Sequence, residues 1–173
     1  GDLDTTELDT VGFDATNTAR FELSDWSKLA LTGGVEIFKD EEVGTRNGAP
    51  RAQFPTADRL SQGYFLLSEF VLFDDLTVSP SARYDQVELT TVGQSDKTED
   101  KLSKQLSVSY QFAPWLSVFG SYAEAFLTPS LTEFCVVGTH LVFNQLVADP
   151  SLRPALAVNI EVGLDLKTEN VFT

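Results

Sequence analysis

His140 is the only histidine of the 173-residue chain and Cys135 its only cysteine, and both fall in one irregular stretch. A neutral imidazole is a common metal ligand, and a thiolate binds soft metals. Each residue also has a plain reading, as an ordinary loop histidine and a half-buried loop cysteine. Leu141, Val142 and Phe143 supply apolar bulk beside the imidazole, and two proline-containing boxes flank it, Phe126-Leu127-Thr128-Pro129 and Asp149-Pro150-Ser151-Leu152. Glu124, Glu133 and Asp149 are candidates for a carboxylate cluster, although acidic loops are commonly just solvated. One histidine rules out a Ser/His/Asp or Cys/His relay. No Gly-rich phosphate loop, helix-borne metal motif or Cys/His cluster of metal-site spacing is present. The residues therefore point to capture of a ligand and not to an enzyme.

Elements of period two hold this stretch in place. The chain enters it along a predicted strand, Trp115–Ala125, and leaves along another that starts at Leu156. Pro129, Pro150 and Pro154 stiffen the connection and block extra ladder pairing. In the second strand Leu156, Val158, Ile160, Val162, Leu164 and Leu166 alternate with Ala157, Asn159, Glu161, Gly163 and Asp165. Further strands are expected at about Val11–Leu23, Lys28–Asp40, Gly63–Phe73, Leu76–Leu89 and Leu102–Phe112. Arg83 and Asp85 share the polar side of the fourth of these, where they can pair across strands or meet whatever fills the interior.

The predicted connections alternate in length. Ser24–Ser27, Asp74-Asp75 and Ala113-Pro114 are short; Glu41–Gln62, Val92–Asp100 and Phe126–Ala155 are long. Short turns at one end and long loops at the other are the habit of membrane barrels. The strands run about 11–14 residues, against roughly 5–6 in soluble domains. Trp26, Phe73, Phe112 and Trp115 gather near strand ends, where interfacial aromatics sit. The expected fold is therefore all-β: an antiparallel transmembrane β-barrel segment of about seven or eight long meandering strands. Seven is odd, whereas bacterial single-chain barrels have even counts. A complete eight-stranded barrel would require a separate strand from residues 1–10. The rival is a soluble β-barrel or sandwich binding module, whose apolar face would be an internal core.

The totals agree with a membrane barrel. A net charge of -14 leaves nothing to displace counterions from phosphates, so nucleic acid is excluded as a partner. Mean hydropathy is -0.06, and no apolar run reaches the roughly 18–20 residues of a spanning helix. Methionine is absent and no leader pattern opens the chain. We expect residues 1–173 to be a piece of a larger barrel domain, lacking its remaining strands.

The order of fragments resembles the barrel of TonB-dependent outer-membrane receptors. The resemblance rests on Gly34-Val35-Glu36, Gly63-Tyr64-Phe65-Leu66, the run from Leu76 to Asp85, Ser107-Val108-Ser109-Tyr110, Pro114-Trp115-Leu116 and the run from Ser121 to Phe126. It spans roughly residues 28–168. Within that family the haem and haemoglobin receptors carry a Phe-Arg-Ala-Pro box and an Asn-Pro-Asn-Leu box around a histidine. Here Leu127 replaces the arginine, Thr128 the alanine, and Asp149 the first asparagine. The resemblance implies His140 as an axial ligand to haem iron, with Leu141 and Phe143 packed on the porphyrin. It also implies haem as transported ligand with no permanent cofactor, and haem or a haemoprotein as partner. Further implications are a cell outer membrane location among its lipids, and a TonB complex at the inner membrane reached through a plug that these residues lack. The same scaffold serves siderophore and other metal-chelate receptors, which is the alternative ligand class.

Overall fold

The computed structural model describes residues 2–50, 56–92, 96–127, 138–140, 144–146 and 154–167. Its strands are β1 (Asp4–Ser24), β2 (Ser27–Arg46), β3 (Ala49–Pro50), β4 (Ala57–Leu72), β5 (Leu76–Thr91), β6 (Lys97–Ala113), β7 (Leu116–Leu127), β8 (Gly138–His140), β9 (Asn144–Leu146) and β10 (Ala155–Leu166). Seven long strands follow one another in the sheet order β1-β2-β4-β5-β6-β7-β10, all antiparallel, with the short β3 paired to the end of β2. This is the expected meander. The sheet does not close on itself, so β1 and β10 are its two edges.

The strands are longer than the hydrophobic pattern implies. Residues 4–10 do not make a separate strand but prolong β1, pairing Asp4 through Thr10 with Arg46 through Asp40. The predicted loop over residues 41–62 is likewise mostly ladder: β2 continues to Arg46, and β4 starts at Ala57. β6 begins at Lys97, inside the predicted 92–100 loop. Charged, Thr-rich segments can pair in this way because cross-strand contacts replace burial. Arg46 donates Nε and Nη2 to the two carboxylate oxygens of Asp4 at 2.7 and 2.9 Å, and Thr10 donates to Asp40 at 2.8 Å.

The short connections are tight, as expected, though shifted by a residue. Asp25-Trp26 joins β1 to β2, residues 73–75 join β4 to β5, and Pro114-Trp115 joins β6 to β7. In the middle turn Phe73 and Asp74 both have positive φ, 55° and 58°, a conformation that costs a non-glycine residue roughly 1–2 kcal/mol. Neighbouring elements hold it there. Phe73 donates its N–H to Trp26 O at 2.7 Å and stacks its ring on Trp26 with centroids 5.0 Å apart, while Lys28 Nζ reaches Asp74 at 2.9 Å.

Register sorts the side chains onto two unlike faces. One carries Leu29, Leu31, Val35, Tyr64, Leu66, Phe70, Val78, Tyr84, Leu102, Leu106, Val108, Tyr110, Tyr122 and the six alternating Leu, Val and Ile residues of β10. Many of these are open to the surroundings: Ile160 is 73% exposed and Val162 79%. The other face carries Ser, Thr, Gln, Asp, Glu and Arg, with a few phenylalanines. Among the described residues the buried apolar side chains number three, Ala57, Val87 and Leu89. They sit together on the polar face near the long-loop end. The inward-packed core that a soluble sandwich demands is not what these residues build.

Candidate ligand-binding site and barrel wall

The polar face lines a groove of about 640 Å³ that draws residues from β2, β4, β5, β6 and β7, so the sheet curves with this face inside. Four glycines make close approaches possible there. Gly12 lies opposite Phe38, Gly34 opposite Phe65, and Gly163 opposite Phe119, and in each pair the ring occupies the space a Cβ would need. Gly63 lies opposite Asp85, and the Arg83 guanidinium fills its vacant side-chain space.

That vacancy lets Arg83 act as the hub of the wall. Its Nε donates to Asp85 Oδ1 at 2.7 Å on its own strand, and its Nη2 meets Glu36 Oε2 at 2.7 Å. Glu36 belongs to β2, so the arginine spans the whole width of β4. Its guanidinium carbon also sits 5.9 Å from the centroid of the Phe65 ring. The pairing of Arg83 with Asp85 runs along one strand and not between strands. The cross-sheet partner, Glu36, was not singled out in the sequence. Gly63 held the clue, since a glycine within a strand marks a place where something else comes close. Arg83→Met leaves Glu36 and Asp85 as facing carboxylates. We expect it to lower unfolding free energy by about 1 kcal/mol, the modest figure reflecting partial exposure, measurable by urea titration.

The opposite face has its own polar boundary. The hydroxyl of Tyr64 donates to Gln62 Oε1 at 3.1 Å, that of Tyr122 to Glu124 Oε1 at 2.7 Å, and that of Tyr84 bonds Asp100. In all three the acceptor lies further toward the long-loop end than the ring. Glu124 is thus committed to Tyr122 on the outward face. Glu133 and Asp149, its suggested companions, lie outside the described residues, as does Cys135. Beyond the tyrosines the strands continue in ion-paired form. There the Asp4 carboxylate, by hydrogen bond and charge, pushes the Arg46 pKa above its ordinary value.

Of the residues expected to form the ligand site, Phe126, Leu127 and His140 are among the described ones. Phe126 and Leu127 end β7, opposite Leu156 and Ala155 of β10. The register therefore sets the end of β7, with Phe126 and Leu127, beside the start of β10. His140 ends β8, and β8 pairs with β9 through Gly138↔Leu146, Thr139↔Gln145 and His140↔Asn144. The histidine therefore belongs to a small hairpin within the connection. Thr128, Pro129, Leu141, Phe143, Asp149, Pro150, Ser151 and Leu152 lie outside the described residues. Among the described residues no group of three or more His, Cys, Asp or Glu side chains is arranged to hold a metal ion.

Known proteins are similar to this chain in sequence and in architecture. The chain is 31% identical over 187 aligned positions to the heme/hemopexin utilization protein C of Haemophilus influenzae, covering 99% of this chain and 25% of that protein. It is 33% identical over 162 positions to a hemin receptor of Yersinia enterocolitica, covering 87% of this chain and 23% of that protein. The chain thus spans about a quarter of the length of these relatives. A solved structure of the Serratia marcescens hemophore receptor HasR, as a double mutant with its hemophore HasA and heme, superposes with a TM-score of 0.89. At 21% identity it covers 98% of this chain and 31% of that one, a likeness of fold. The family model for the TonB dependent receptor-like β-barrel matches residues 1–173. The chain belongs to the TonB-dependent receptor β-barrel family.

Proposed function

We propose that these residues form part of the wall of an outer-membrane receptor that captures haem, free or from a haemoprotein, and admits it to the periplasm. The observation that carries this reading is that relatives named for heme and hemin align along almost the whole chain at 31% and 33% identity. His140 then supplies an imidazole to ferric haem iron from the β8–β9 hairpin. Phe126, Leu127, Thr128 and Pro129 on one side, and Asp149, Pro150, Ser151 and Leu152 on the other, anchor the connection that carries it. Leu141 and Phe143 pack on the porphyrin. No catalytic step is involved; the cycle is capture, displacement of a plug, and release, powered through a TonB complex at the inner membrane.

The outward face meets lipid in this reading. From Leu76 to Tyr84 a strand climbs about 26 Å at roughly 3.3 Å per residue. A tilt near 40° turns this into about 20 Å along the membrane normal, close to the apolar band of outer-membrane barrels. Trp26, Phe73, Phe112 and Trp115 mark the periplasmic edge of that band. Tyr64, Tyr84 and Tyr122 mark the outer edge, with their hydroxyls bonded away from the hydrocarbon. The residues of β1 and β2 beyond the tyrosines stand in water and carry the external connections.

The test is spectroscopic. Haem added to the full-length receptor should shift its Soret band. His140→Ala should weaken that shift and lower haem affinity by about tenfold or more, a loss of at least about 1.4 kcal/mol. An unchanged spectrum in the variant removes His140 from the mechanism. A receptor whose spectrum shifts only with a ferric chelate would place it among siderophore receptors.

A further inference from the structure

The turn between β2 and β3 holds a reactive pair. Asn47 and Gly48 occupy its two central positions with φ of 52° and 80°, both left-handed, as a two-residue hairpin requires. Both residues are exposed, and nothing lies within 4 Å of where a Cβ on Gly48 would stand. Glycine after asparagine leaves its backbone nitrogen unhindered toward the side-chain carbonyl carbon of that asparagine. Three hydrogen bonds tie Asn47 to the first residues of the chain. Its N–H donates to Leu3 O at 2.8 Å, its Oδ1 accepts from Leu3 N–H at 2.9 Å, and its Nδ2 donates to Asp2 Oδ1 at 3.1 Å.

We propose that Asn47 is a site of spontaneous deamidation, and that docking of Asp2 and Leu3 on its side chain sets the rate. The Gly48 nitrogen gives up its proton and bonds to Asn47 Cγ. The Cγ–Nδ2 bond breaks, and the nitrogen leaves as ammonia with a proton from solvent. Water then opens the five-membered imide at either carbonyl, leaving aspartate or isoaspartate. Water is the co-reactant, and no electron is gained or lost. To reach the attacking geometry, the side chain must swing over its own peptide and release both Leu3 N–H and Asp2. These bonds are exposed and sit at the tip of a hairpin, where local opening is cheap, so the brake is partial. The product puts a carboxylate where Nδ2 had faced Asp2, close to the Asp4–Arg46 pair. The isoaspartate form also lengthens the turn backbone by a methylene. Either outcome loosens the outer end of β1 from β2.

The measurement uses the full-length receptor, folded in micelles and, separately, in denaturant, held at mildly alkaline pH. Trypsin releases residues 47–51 between Arg46 and Arg51, and mass spectrometry follows the replacement of NH₂ by OH. The wild type should convert several-fold more slowly folded than denatured. Asp2→Ala should recover much of that gap in the folded protein and match the wild type in denaturant. Equal folded and denatured rates, an Asp2→Ala variant as slow as the folded wild type, or no conversion in denaturant would each overturn the proposal.

Discussion

Val108→Arg should cost about 2–4 kcal/mol of stability in the bilayer, the figure for a cation at mid-membrane on the outward face of a barrel. The same replacement at Ser107 should cost well under half of that. The two positions are adjacent in β6, share the same backbone pairing to β5 and β7, and differ only in which way the side chain points. Val108 faces outward between Val78 and Gly120, halfway between the aromatic turns and the tyrosines. Ser107 lies between Ser79 and Ser121 on the polar wall, where a guanidinium finds water and hydroxyls. Urea unfolding of the two variants in lipid vesicles, monitored by tryptophan fluorescence, checks the contrast. Equal losses, or a larger loss at Ser107, would mean that the apolar face does not meet lipid. The membrane reading would then fail.

A second neighbouring pair should split just as clearly. Gly34→Ala is expected to lower stability by about 1–3 kcal/mol, the range for forcing an extra carbon into a filled site. The new methyl would collide with the Phe65 ring and would stand 2.9 Å from the carbonyl oxygen of Ala15. A ring can rotate, but a backbone oxygen held in a ladder cannot. Gly33→Ala points the other way, where the nearest atoms are 3.8 Å from the added carbon. It should be neutral, or gain up to about 1 kcal/mol by restricting the unfolded chain. Denaturant midpoints of the two variants provide the comparison. A Gly34→Ala protein as stable as wild type would show that Phe65 does not lie across that glycine.

Much of the architecture was legible because hydrophobicity alone encodes it. The outward face must be apolar at every second position, and β10 displays that alternation without a break. The turn expected at Asp74-Asp75, which the structure widens to residues 73–75, and the order of strands followed from the same signal. What escaped was whatever hydrophobicity does not govern. Residues 4–10 and 41–46 pair as strand although they are charged and Thr-rich, because an exposed ladder needs only partners such as Asp4 and Arg46. The link from Arg83 to Glu36 was hidden because it leaps over an intervening strand, and period-two patterns describe single strands. At the proposed ligand site the sequence showed which residues flank His140. The register of β7 against β10 adds that Phe126 and Leu127 stand beside Leu156 and Ala155.

The pairing of phenylalanines with glycines on the wall has a consequence for the relief of the polar face. A phenyl ring standing upright would project from the sheet, whereas one laid down over a missing side chain presents its flat side and adds little to the height of bare backbone. Phe38, Phe65 and Phe119 thus give the polar face stretches of low relief that carry no charge. Ion pairs such as Arg83 with Glu36 stand between them as the charged relief of the same face.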